Sequence, residues 1–216
     1  FKCFFFLFST FCWTLLNKVK QDTLTRVVFE DGTTADIDFT IEKGLPSKLN
    51  NLTLSIYRKL FRDGCFEFFM DHQTINIKEE NYRENPDSEY CYKWIYSAGT
   101  EGVRYRWIKE KSNNYSKYKI LIPISAAGNA YKYSSIQTDC NQSQDLPMIM
   151  FDSVEEAKKM LEYLNMPFID RIFRINTGTT KHGKIILPKI DLSRTWTDQE
   201  IYQHFGLTQE EIDYIE

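Results

Sequence analysis

The stretch from Pro188 to Glu216 reads PKIDLSRTWTDQEIYQHFGLTQEEIDYIE. It contains two complete helix starts. Thr197 with Glu200 forms a capping box: the threonine hydroxyl accepts from the third helical N–H, and the glutamate reaches back to the cap N–H. Trp196 and Ile201 are spaced as the accompanying hydrophobic staple. Thr208 with Glu211 repeats the box, with Leu207 and Ile212 as the staple. Gly206 stands where the first helix must stop in a left-handed cap, which glycine adopts without a Cβ clash. The pattern predicts helices over Asp198–Phe205 and Gln209–Glu216, a helical tail (188–216) packed on residues 1–187.

Moving upstream, Ile185 to Leu187 predicts the last strand, and Asn176 to Gly183 (NTGTTKHG) a loop apt for backbone phosphates. Ser153 with Glu156 is a third capping box, before the buried stripe Val154, Ala157, Leu161 and Leu164. Pro167 suits the first turn of a further helix over Phe168–Ile175. Met148–Phe151 and Tyr118–Ile124 read as strands, and the polar stretch Tyr131–Pro147 as a long loop. In Tyr90 to Tyr96 the residues alternate, with Tyr90, Tyr92, Trp94 and Tyr96 on one face. Val103 to Ile108 returns after a glycine turn, and period two sends Arg104 and Arg106 to one side and Val103, Tyr105 and Trp107 to the other.

In the first part of the chain, Asp31-Gly32 marks a hairpin between Thr25–Phe29 and Thr34–Thr40. Leu49, Leu52, Ile56 and Leu60 repeat at helical spacing after Ser47 as a cap, and the helix is expected to end near Arg62. Phe66–Met70 reads as a strand and Asn76–Ser88 as an acidic loop. The apolar run after Lys2 lacks a small-residue cleavage site and is too short to span a bilayer as a helix. It reads as a buried strand, Cys3–Phe8, and a core segment packed on an upstream domain, since Phe1 is not a start residue. The fold class expected from all this is α+β, mainly antiparallel sheet with flanking helices.

With 216 residues, 42% hydrophobic and 26% charged, the chain can bury a sizeable core and is not a disordered sequence. Its net charge of −3 excludes a protein that is basic throughout, so any anionic partner must meet a local patch. Two stretches qualify. Arg104, Arg106, Lys109, Lys111, Lys117 and Lys119 face the single acid Glu110, and Arg171 to Lys189 holds five basic residues and no acid. The five cysteines are scattered and odd in number, which fits a reducing cytoplasm rather than a disulfide framework or a zinc site.

Pro188, Asp191, Trp196-Thr197-Asp198, Tyr202, Phe205-Gly206-Leu207-Thr208 and Glu211 resemble the C-terminal tail of bacterial type II restriction-modification DNA methyltransferases that carry a target-recognition domain after the catalytic one. KYKILIPISAAGN (117–129) and SVEEAKKMLEYL (153–164) resemble the same family further upstream, although Met166 and Pro167 stand where the family has Thr-Lys. The resemblance covers Tyr92 to Glu216. It implies recognition of double-stranded DNA for an adenine-N6 methyltransferase, and S-adenosylmethionine as cofactor of the full-length protein. It further implies that Arg104 and Arg106 read bases or phosphates, and that Lys109, Lys111, Lys117, Lys119, Asn129, Thr180, Lys181 and His182 line the DNA.

The chemistry itself is missing from the chain. Neither a glycine-rich cofactor turn nor an Asn/Asp-Pro-Pro-aromatic loop for a flipped base is present. Pro86-Asp87 lacks the acid-x-Lys of a metal-dependent nuclease. The expectation is a non-catalytic recognition piece without cofactor, metal or membrane, whose partners are duplex DNA and the upstream methyltransferase domain. Two alternatives compete: a divergent nuclease with its metal on Asp36, Asp38 and Glu42, and a protein-interaction module using the Tyr90, Tyr92, Trp94 and Tyr96 face.

Overall fold

A computed structural model describes residues 3–4, 15–16, 24–42, 45–46, 48–68, 81–99, 101–122, 135–143, 146–176 and 186–216. In chain order the elements are β1 (Cys3–Phe4), β2 (Leu15–Leu16), β3 (Thr25–Val28), β4 (Thr34–Ile37), α1 (Asn51–Leu60) and β5 (Cys65–Glu67). Then come β6 (Tyr92–Gly99), β7 (Gly102–Ile108), β8 (Tyr118–Leu121), β9 (Ile136–Gln137), β10 (Asn141–Gln142) and β11 (Met148–Phe151). The chain continues with α2 (Val154–Leu164), α3 (Pro167–Asn176), β12 (Ile186–Pro188), α4 (Asp198–Phe205) and α5 (Gln209–Ile215). The fold is α+β: small sheets of two or three strands, mostly antiparallel, with helices beside them and a short helical C-terminus. Among the described residues no helix is long and apolar enough to cross a membrane.

The tail folds as its sequence dictates. Both capping boxes are formed, and Gly206 closes α4 at φ 65°. Ile201, Tyr202, Phe205 and Ile215 are buried in the same cluster as Ile56 and Leu60 of α1, Met160 of α2 and Phe168 of α3. Burying each large apolar side chain there contributes roughly 1.5–3 kcal/mol, so the tail is part of the main core. Glu211 completes the seam: it is buried, caps α5, and receives Lys59 Nζ at 2.6 Å and Ser55 Oγ at 2.7 Å from α1.

A second cluster (Ile95, Ala98, Leu121, Cys140, Leu146, Met148) joins the sheet β10-β6-β7 to the sheet β11-β8-β9. Ile95 and Ala98 are three residues apart, so strict alternation would put them on opposite faces. The register shifts between Ile95 and Ser97, and this bulge returns Ala98 to the core side.

Several sequence expectations are corrected. Helix α1 begins at Asn51 rather than after Ser47, because Asn50 accepts from Thr53 N and Thr53 Oγ1 reciprocates (Ser47 lies outside the described residues). Strand β4 ends at Ile37: Asp38 turns the chain by accepting from Thr40, which leaves Phe39 exposed. Among the described residues of the supposed loop 131–147 are two short strands, with Cys140, Asn141 and Gln142 buried and β10 pairing in parallel with β6. The segment around Arg83 is likewise tied to a sheet, bridging to Trp107.

Candidate nucleic-acid interface

The β6–β7 hairpin carries the basic residues that the sequence singles out. Trp94 lies opposite Arg106 and Ser97 opposite Arg104, so Arg104 and Arg106 share the face that Trp94 occupies. Tyr96, two residues beyond Trp94, is on this face as well, its ring 5.8 Å from Trp94 and 4.6 Å from the Arg106 guanidinium. Because Arg83 bridges to Trp107, its neighbour Tyr82 also reaches Arg106, ring to guanidinium 4.0 Å. Arg106 is thus in contact with two tyrosine rings, with its Nε donating to Glu84 at 2.9 Å.

The other cations differ in how firmly they are held. Arg104 is exposed and pairs with Glu101 at 2.8 Å. Lys109 pairs with Glu89, which holds its ammonium above the ordinary value, and lies over the Tyr90 ring at 4.7 Å. Lys111 lies over Tyr115, whose ring packs edge-on against Tyr92. Lys117 pairs with the exposed Asp152. Exposed ion pairs of this kind are weak and screened by salt, so an incoming phosphate can displace the carboxylate. Residues 81–122 contain eight Lys or Arg against five Asp or Glu, and nine aromatic residues, all Tyr or Trp. A chain with net charge −3 therefore concentrates positive charge on this segment.

Lys119 departs from the expectation of a phosphate contact. It is fully buried, and its ammonium donates to the carbonyls of Asn114 (2.5 Å), Tyr115 (3.2 Å) and Cys140 (2.7 Å). Side chains alternate along a strand, and Lys119 shares with Leu121 the side that faces the second cluster; its charge serves the packing of residues 114–115 and 140. Asn141 acts beside it, donating to the Lys93 and Glu110 carbonyls and accepting from Ser112 N. Asn129, Thr180, Lys181 and His182 lie outside the described residues. The sequence reading missed Tyr82, Arg83 and Glu84, which it placed in an acidic loop; only the aromatic at 82, out of character for a solvated loop, hinted otherwise.

The competing sites fare differently. Asp36 is held below the ordinary carboxylate range by the hydrogen-bonded Arg26 guanidinium, Asp38 by the Thr40 hydroxyl and N–H, and Glu42 by Arg58. Each carboxylate thus has its own partner, and among the described residues no three His, Cys, Asp or Glu side chains gather where a metal would sit. Of the expected aromatic face, Tyr90 is buried and has Arg83 and Lys109 over its ring, while Tyr96 is capped by Arg106. These rings present cations rather than an apolar surface. Elsewhere, a cavity of about 200 Å³ lies between α2 and the 190–196 segment, but several polar groups in its wall are engaged. Trp196 Nε1 donates to Asp191 O, Tyr163 Oη donates to Pro188 O, and Arg194 stacks on Trp196 and pairs with Glu200.

Compared with family models, with curated proteins and with solved structures, the chain matches none.

Proposed function

We propose that this chain recognises double-stranded DNA through the exposed face of the β6–β7 hairpin, as the target-recognition part of a restriction-modification adenine-N6 methyltransferase. The observation that carries the reading is the gathering of Arg104, Arg106, Lys109 and Lys111 with tyrosine rings around one hairpin. Cations on a two-stranded ribbon suit a duplex, since phosphates supply sequence-independent affinity and the major groove admits such a ribbon. The resemblance of the tail and of residues 117–129 and 153–164 to the methyltransferase family gives the class of parent enzyme.

Catalysis belongs, on this reading, to an upstream domain of the same protein. Among the described residues, the glycines at positive φ serve hairpin turns (Gly32, Gly102), the exit from α1 (Gly64) and the α4 cap (Gly206). No glycine among them opens a strand-to-helix cradle for a nucleotide-like cofactor.

The test is direct binding of a labelled random-sequence duplex, followed by fluorescence anisotropy across a salt series. Affinity is expected to fall linearly in log–log form with a slope of several units. Absence of duplex binding, or binding indifferent to salt, contradicts the proposal and favours a protein partner.

A further inference from the structure

Arg104 and Arg106 are neighbours on one strand face, yet only one is built as a reader. The Arg104 side chain is 64% exposed and has Glu101, three residues away, as its ion-pair partner. The Arg106 side chain is 27% exposed and packs on the Tyr82 and Tyr96 rings, 4.0 and 4.6 Å from its guanidinium. Its Nε is engaged by Glu84 Oε1, while neither terminal nitrogen, Nη1 or Nη2, has a hydrogen-bond partner among the described residues. Rigid placement removes the entropy that a long side chain loses on binding, and it aims the planar fork of donors.

Resting on the DNA-recognition reading above, we infer that Arg106 and Glu84 together read a G·C base pair in the major groove. The two free Nη donors match guanine O6 and N7, and the Glu84 carboxylate, 67% exposed, matches the N4 amino group of the paired cytosine. Glu84 is what separates this from a phosphate contact. A carboxylate 2.9 Å from the guanidinium repels a phosphate but complements an amino donor. An A·T pair is refused, because adenine N6 presents a donor where the fork needs an acceptor.

The experiment selects duplexes from a random pool with the whole chain and then measures affinity for the enriched sequence. One enriched position is expected to be an invariant G·C pair. Replacing its guanine by 7-deazaguanine, which deletes the N7 acceptor, should weaken binding of the native chain roughly 5- to 150-fold. The same replacement should have little effect on Arg106→Lys, which keeps the charge but not the fork. Glu84→Gln should weaken the preference for this G·C pair over the other three base pairs. If no invariant G·C pair emerges, or if its 7-deaza form binds equally well, the assignment to Arg106 and Glu84 is overturned while DNA recognition stands. If no duplex binds in a salt-dependent way, both fall.

Discussion

Lys119 Nζ lies 2.7 Å from the backbone carbonyl oxygen of Cys140, inside the core. The residue before the buried strand segment β10 is thereby tied to the turn 114–115, through carbonyls that no regular ladder satisfies. A lysine that sequence position assigns to a nucleic-acid surface instead holds two loops together.

Lys119→Met should therefore destabilise the fold while leaving surface electrostatics intact. Losing the buried cation and its charge-assisted bonds to three carbonyls, of which Asn114 O and Tyr115 O keep a backbone N–H donor each, is expected to lower unfolding free energy by about 3 kcal/mol. Urea denaturation at neutral pH reads this directly. A change within about 0.5 kcal/mol, with a shallower salt slope for duplex binding, would place the ammonium on the surface instead.

Acid should loosen the joint between α1 and the tail. Burial alone raises the Glu211 carboxyl, but hydrogen bonds from Lys59, the Thr208 N–H and Ser55 outweigh it and hold the group below its ordinary value. The folded value is depressed, so the stabilisation is present above the ordinary carboxyl range and is lost as pH falls through the folded value. Glu42, held low by Arg58, adds in the same direction. Stability measured from about pH 6 down to about pH 3 should decline, and Glu211→Gln should flatten part of that decline. An identical acid profile in the variant would show that Glu211 is not responsible.

The corner between α4 and α5 offers a purely conformational test. A Cβ at Gly206 meets nothing within 4 Å, so Gly206→Ala carries only the strain of φ 65°. The expected loss is about 1 kcal/mol, and Gly206→Asn should lose less because asparagine tolerates the left-handed region. Thr208→Ala removes the α5 cap and should cost about 1 kcal/mol. Thermal melts of the three variants give the order.

On the proposed interface, Arg104→Ala and Lys111→Ala should each reduce the salt slope of duplex binding by about one. Arg26→Ala, on the separate β3–β4 hairpin and paired with Asp36, should leave it unchanged. The comparison needs only anisotropy titrations at several salt concentrations. Equal effects at Arg26 and Arg104 would mean diffuse attraction rather than a defined face.

Elements specified by near neighbours were legible in the sequence. Thr197 with Glu200, Thr208 with Glu211 and Ser153 with Glu156 set helix starts because a cap acts within one turn. The face shared by Arg104 and Arg106 followed from period two. What escaped depends on distant partners. The bulge at Tyr96 lets Ile95 and Ala98 share one buried cluster with Leu121 and Met148, which alternation along one strand cannot reveal. Cys140 to Gln142 look like polar loop until β6 supplies a parallel neighbour. The Tyr82–Arg106–Tyr96 stack needs the Arg83 bridge to Trp107, a pairing with no local signature. Lys119 looked like a surface cation because residue type says nothing about which carbonyls the fold will bring to it.

The most direct measurement is amide hydrogen exchange of the whole chain with and without a saturating duplex at low salt. Protection is expected to gather at Tyr92–Ile108 and at the adjoining residues 82–84, with the β3–β4 hairpin and the α4–α5 tail unchanged. Protection confined to other segments, with Tyr92–Ile108 exchanging as before, would contradict the assignment of DNA recognition to this hairpin.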